Sequence, residues 1–244
     1  MHIETIRIPV LLTLLFFLSC TIVKEDRNLC PCNLSVGLDA PGDVRLIVEG
    51  RSFIMEAVLP GDTTVVWRVP RPDVRITAVS GAGWDGGVRI PPGEQCPPLY
   101  LGVGRVKTDS EEAHCSAPLH KSYCELSMNF VCPSGWKPMP VRVSGNVCGY
   151  GPGGGPLQGE FSYSTAPSAQ GHCSVRLPRQ MDSSLLLSMG GGWTFALGEY
   201  ILQSGYDWAA PDLKDVSLDI NISLTSILFR IGTWTRTEQL WFLV

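Results

Sequence analysis

The chain has 244 residues, enough for one large or two small domains, and carries a net charge of −4. With a pI near 5.6, that charge excludes a basic surface for nucleic acid. Only 17% of residues are charged, against 26 Gly and 19 Pro, a balance that suits short strands joined by many turns.

Residues 8–18 are apolar apart from Pro9 and Thr13. The run is shorter than the roughly 20 residues a bilayer requires and has the length of a secretory-signal core. Ser19-Cys20 behind it resembles the lipobox of bacterial lipoproteins, whose cysteine is acylated and becomes the first mature residue. Residues 1–19 are therefore expected to be a lipoprotein signal peptide and 20–32 a tether. Each buried CH₂ contributes about 0.8 kcal/mol, so two or three acyl chains on Cys20 would hold the chain stably. A plain secretory signal, with Cys20 an ordinary thiol, is the alternative. Lys24-Glu25-Asp26 resembles the signal that sends some lipoproteins to the outer face of the outer membrane.

Beyond the tether the chain alternates with period two, the mark of half-buried strands. Residues 44–48 form an apolar candidate with Arg45 facing out. Val65, Trp67 and Val69 share a face, as do Val74, Ile76 and Ala78, and Pro70-Arg71-Pro72 turns the chain between them. Residues 81–87 read as a flexible Gly-rich loop. The polar stretch 107–118 has the composition of a linker. The domain boundary is placed there, giving an N-terminal β-sandwich over 33–110 and a C-terminal β-sandwich over 111–244.

Periodicity then restarts. Cys124, Leu126, Met128 and Phe130 share one face; so do Val141, Val143 and Val147. The Gly-rich loop at 149–155 has no Lys and no Walker pattern, which argues against phosphate binding. Further strands are expected over 173–177, 185–189, 193–195, 216–222 and 227–231. Val216, Leu218, Ile220 and Ile222 give the clearest alternation. Residues 199–204 break the pattern as a short helix, closed by Gly205. Many short strands at this spacing predict β-sandwiches.

Of nine cysteines, eight remain when Cys20 is set aside, and an even number in an exported chain points to disulfides. Cys30 and Cys32 flank Pro31 and cannot easily pair with each other; a bridge from one of them to Cys96 would close the first domain. Cys30, Cys32, His114 and Cys115 match no ordinary zinc spacing, so no metal or cofactor is expected.

The tether Glu25-Asp26-Arg27-Asn28-Leu29-Cys30-Pro31-Cys32, running straight into a strand, resembles the start of FimB-type fimbrial anchor subunits of type V pili. The second half is similar to that family in Gly145-Asn146-Val147-Cys148-Gly149-Tyr150, Leu177-Pro178-Arg179-Gln180 and Leu197-Gly198-Glu199-Tyr200-Ile201. It is similar again in Gly205-Tyr206-Asp207-Trp208 and Asp212-Leu213-Lys214-Asp215-Val216. Cys96-Pro97-Pro98-Leu99-Tyr100 fits as well. The resemblance implies an all-β chain of two tandem transthyretin-like Greek-key β-sandwich domains, with one short helix in the second. It implies a lipidated minor subunit that attaches or terminates a pilus at the outer membrane, with major or accessory pilins as partners. The first domain is short for the family, and a missing strand there would alter any groove that receives a partner.

Such assembly has a physical basis. A sandwich lacking one strand exposes unpaired backbone beside an apolar groove, and a neighbouring subunit can supply the strand. At the C-terminus, Leu240, Trp241, Phe242, Leu243 and Val244 form an apolar segment, either the last core strand or a strand exchanged with a neighbour. A surface glycan-binding lipoprotein is the alternative, with Trp84, Trp136 and Trp208 as stacking platforms. An enzyme is not expected: Asp207 and Asp212 read as turn and capping residues, and His172-Cys173 point to opposite faces of a strand.

Overall fold

The computed structural model describes residues 30–134, 139–190 and 192–240. The signal peptide, Cys20, Trp136 and Trp241 to Val244 lie outside them. Among the described residues no helix is long and apolar enough to cross a membrane.

Alternation builds the first sandwich. In β1 (Cys32–Asp39) the side chains of Cys32, Leu34, Val36 and Leu38 are buried and those between them are not. β1 pairs antiparallel with β4 (Thr64–Val69) and parallel with β8 (Glu112–Pro118). The facing sheet runs β3 (Ile54–Pro60), β2 (Asp43–Glu49), β5 (Asp73–Ser80), β7 (Tyr100–Lys107) and the short β9 (His120–Lys121). Val44, Leu46, Val48, Val74, Ile76 and Ala78 close the core from that side.

The second sandwich repeats this order. β10 (Tyr123–Val131) lies between antiparallel β13 (His172–Pro178) and parallel β16 (Val216–Ile222). The sheet opposite runs β12 (Pro156–Thr165), β11 (Val141–Tyr150), β14 (Leu186–Met189) and β15 (Trp193–Phe195). Strand for strand, β1, β2, β3, β4, β5, β7 and β8 correspond to β10, β11, β12, β13, β14, β15 and β16. Two elements belong to the second half alone. One is helix α1 (Leu197–Gln203), whose C-cap Ser204 is followed by Gly205 at φ +86, as the sequence predicts. The other is the hairpin of β17 (Ser226–Ile231) and β18 (Trp234–Gln239), which extends the sheet from the free edge of β16.

Most of the stretch read as a linker is therefore β8, a strand of the first sandwich. Its outer face is polar because it meets solvent, and that polarity imitates a linker. The chain passes for the last time into the second half around residues 119–122. A second correction concerns residues 81–99, assigned above to the first domain. Trp84, Val88, Ile90, Cys96 and Leu99 belong to the core of the second sandwich. Within this stretch β6 (Val88–Arg89) pairs with β11. The Cys96 N–H donates to the Arg176 carbonyl at 3.0 Å, and Arg176 Nε donates to the Cys96 carbonyl at 2.9 Å.

The bridge expected from Cys30 or Cys32 to Cys96 is not formed: all three are free thiols, and Cys32 and Cys96 are buried in different cores. Burial pushes the Cys96 thiol up to about 12, so it packs as a small apolar side chain.

Motif residues of the second half converge on one end of its sandwich. Tyr150 is buried; its hydroxyl donates to the Ser122 carbonyl and accepts the Arg179 N–H at 2.8 Å. The Arg179 guanidinium donates to the carbonyls of Trp208, Ala210 (2.7 Å) and Pro211 (3.0 Å). Asp207 accepts the Ala209 N–H at 2.8 Å, as a turn residue does. The loop between α1 and β16 is thus pinned by polar bonds, of which those to the Trp208 and Ala210 carbonyls are partly buried and costly to leave unmade.

Asp212 ties this loop to the crossing segment. It accepts the Lys121 N–H at 2.7 Å and lies 3.1 Å from His120 Nδ1. The Lys121 backbone bond, then the His120 bond, hold its carboxyl below the usual carboxylate range. A depressed folded pKa gives stability that is present above the unfolded value of about 4 and is lost as pH falls through the folded value. The parent should melt above an Asp212→Asn variant at neutral pH, with the gap closing as thermal scans move below about pH 4. A gap that persists in acid would show that the charge of Asp212 contributes nothing.

Candidate functional site

The repeat exposes what the first sandwich lacks. In the second half the free edge of β16 is covered by β17, whose Ile227, Phe229 and Ile231 are buried. Phe229 packs edge-on against Phe195 at 4.9 Å and at a tilt against Tyr200 at 5.1 Å. Tyr200 also stacks with Trp234 at 5.6 Å and donates its hydroxyl to Glu238 at 2.6 Å. Helix and hairpin together fill that side.

At the equivalent place in the first sandwich, β8 pairs with no further strand beyond β1 among the described residues. Across from it, β7 pairs with β9 only at Tyr100 and Leu101, so its edge from Gly102 onward is also free of a strand there. Between the two edges lies a groove of about 270 Å³. Register places Gly102, Gly104 and Val106 on the inward face of β7, opposite Ala78, Ile76 and Val74. Ala113, Cys115 and Ala117 are the inward residues of β8, buried or half-buried. Burial raises the pKa of Cys115, which keeps that wall neutral and apolar.

Glycine shapes the groove. A Cβ on Gly102 would lie 2.4 Å from the Pro118 carbonyl oxygen, so the two strands are pinched there. A Cβ on Gly104 would meet nothing within 4 Å. Small residues at Gly102, Gly104, Ala113 and Ala117 leave depth for the side chains of an incoming strand. The opposite edge of this sandwich is bridged by its own chain: β3 and β4 are joined through Gly61, which packs against the Ala40 backbone.

The outer side of β7 is not available to a partner in the same way. Gly154, at φ +76 in the 149–155 loop, packs on Val103 and Leu101. That loop, read from sequence as a phosphate-free Gly-rich turn, is a contact between the halves.

Sequence reasoning did not find the groove. No alternation marks β7, because glycine stands at two inward positions. Of the segment singled out for strand exchange, Leu240 is half-buried against the second core and donates its N–H to the Thr225 carbonyl at 2.9 Å. The expected lipid-bearing Cys20, and Trp241, Phe242, Leu243 and Val244, lie outside the described residues. Two of the three aromatic platforms of the glycan alternative are buried, Trp84 and Trp208 each being only 6% exposed, and Trp136 lies outside the described residues. Trp208 meets Tyr206 at 4.6 Å, as a core pair does. Among the described residues no His, Cys, Asp and Glu cluster is arranged to hold a metal.

Comparison with solved structures places this architecture. The fimbrial anchor protein Mfa2 of Porphyromonas gingivalis matches with a TM-score of 0.64 at 10% identity, over 84% of this chain and 99% of that one. A Bacteroides thetaiotaomicron protein described as a candidate polysaccharide binder (DUF1812) gives 0.61 at 14% identity, over 85% and 98%. A candidate adhesin from the same organism gives 0.57 at 13% identity, over 84% and 97%. No family model and no curated protein sequence matches the chain. The fold is the tandem β-sandwich shared by these fimbrial anchor and adhesin structures.

Proposed function

We propose that this chain is a minor subunit of a type V pilus, held at the outer membrane by acyl chains on Cys20, that attaches or terminates the filament by strand complementation. The observation that supports this reading best is the uncovered edge of β8 beside a glycine-floored groove, at the place where the second sandwich seats β17. An added strand would gain backbone hydrogen bonds from β8 and seat alternate side chains in the groove. The chemistry of β17 describes a suitable occupant: β-branched or aromatic residues at the alternate, inward positions. The likeness to Mfa2 and to adhesins agrees with a role in adhesion at the cell surface.

Partners on this reading are major or accessory pilins, and the site is one of association, not catalysis. The test is purification of the tagged full-length chain from outer membranes, with identification of co-purifying proteins and of fatty acid on the N-terminal peptide. Pilins should co-purify with an acylated chain. Recovery of a free, unacylated polypeptide in the periplasm, with no filament component bound, would overturn the proposal.

A further inference from the structure

A second feature lies on the second sandwich, among residues that do not line the groove. There the loop 179–185 crosses over a bulge in β11, where the pairing register with β12 shifts between Gly145 and Val147. Two side-chain oxygens at this crossing, Asn146 Oδ1 and Gln180 Oε1, are buried and have no hydrogen-bond partner, and a third, Ser184 Oγ, is buried beside Asp182 without a bond of normal geometry. Gln180 is 3% exposed. Such groups are costly to leave unsatisfied.

The orientation of both amides is fixed from their nitrogen ends. Asn146 Nδ2 donates to Asp182 Oδ2 at 2.9 Å, and Gln180 Nε2 donates to the Pro178 carbonyl at 2.7 Å. Turning either amide over would set an oxygen against an acceptor, so both oxygens stay as open acceptors. Gly145 lets the loop close down on β11: a Cβ there would press on Leu185 Cδ2 at 2.9 Å and on Gln180 Oε1 at 3.3 Å. Asp182 stands at the rim, exposed to solvent, and its other oxygen accepts the Ser184 N–H at 2.9 Å. Hydrogen bonds from Asn146 and then Ser184 keep its carboxyl below the usual range. Residues 180, 182 and 184 thus supply an amide oxygen, a carboxylate and a hydroxyl from alternate positions of one loop, and Asn146 supplies a fourth oxygen donor from β11.

We propose that Asn146, Gln180, Asp182 and Ser184 form a calcium site that fastens the 179–185 loop to the β11 bulge. Calcium takes about 6–8 oxygen ligands in flexible geometry and accepts carboxylate, amide, hydroxyl and water oxygens together. Magnesium demands a near-ideal octahedron at shorter distances and keeps its water, so it suits this mixed set less well. One carboxylate gives modest charge, which sets the affinity at the level of extracellular modules, a Kd on the order of 0.1–1 mM.

The experiment uses the full mature chain after exhaustive chelation, titrated with calcium chloride in a calorimeter and melted with and without the metal. A single-site isotherm is expected. At ten times the Kd, calcium should raise the melting temperature by about 3–5 °C, with magnesium giving no comparable shift. Asp182→Asn keeps an acceptor for the Ser184 N–H while removing the charge, and it should lose the calcium response yet still melt cooperatively. Absence of both heat and shift in the parent would overturn the proposal, leaving the three oxygens to bond water. An unchanged calcium response in Asp182→Asn would overturn it equally, by moving the site elsewhere. Neither result bears on pilin capture, which is read by the outer-membrane purification.

Discussion

Gly104→Ile should leave the fold intact while reducing capture of a complementing pilin by tenfold or more, about 1.4 kcal/mol. The argument is geometric. Gly104 faces inward opposite Ile76, and a side chain built on it enters open space. Glycine within a strand costs about 0.5–1 kcal/mol relative to alanine, so a β-branched replacement with room around it should hold or raise the melting temperature. The same side chain would occupy the volume an incoming strand needs. Gly102→Ala is the contrast: its methyl would press on the Pro118 carbonyl and should destabilise the fold. Thermal melting and pilin pull-down, run on both variants, separate the cases. Undiminished capture by Gly104→Ile would mean that the partner enters elsewhere. A melting temperature that falls as far as that of Gly102→Ala would mean that the groove is already closed.

Phe229→Ala carries the largest expected loss of stability, about 3–5 kcal/mol. Phe229 is fully buried and joins β17 to Phe195 and to Tyr200 of α1, so its removal leaves a cavity that three elements share. A fall in melting temperature of about 10 °C or more follows for a chain of this size. Leu228→Ala, on the outer face and 38% exposed, should cost under about 1 kcal/mol. The pair decides whether the hairpin belongs to the free subunit. If Phe229→Ala melts like the parent, β17 is not seated in the isolated chain, and the hairpin becomes a strand held for a neighbour.

Much of the all-β fold was legible because burial writes itself as alternation. β10 and β16, central strands with one buried face, were read almost residue for residue. Two of the strands that were missed, β7 and β8, have clear physical reasons. β7 carries glycine where a core strand would carry valine. β8 is a solvated edge whose charged and small residues read as a linker. The repeat of strand order across the two halves entered only through the family resemblance, because it resides in backbone pairing, which leaves no sequence period. The blocks resembling fimbrial anchors were legible for a different reason: Tyr150, Arg179 and the 205–212 loop form one connected, partly buried polar network, and such networks tolerate few alternatives. The groove and the candidate calcium site depend on what is absent, a missing strand and missing partners, and a sequence records only what is present.

The crossing of residues 81–99 into the second core has a mechanical consequence. Trp84, Ile90, Cys96 and Leu99 leave the first sandwich and return to it at β7, so the modules are stitched together rather than hinged. A filament tugging on the β8 edge would load this stitch and the β7–β9 seam at once, sharing the force between parallel connections. Tension would reach the far module as a shear on packed side chains, with little slack to take up first.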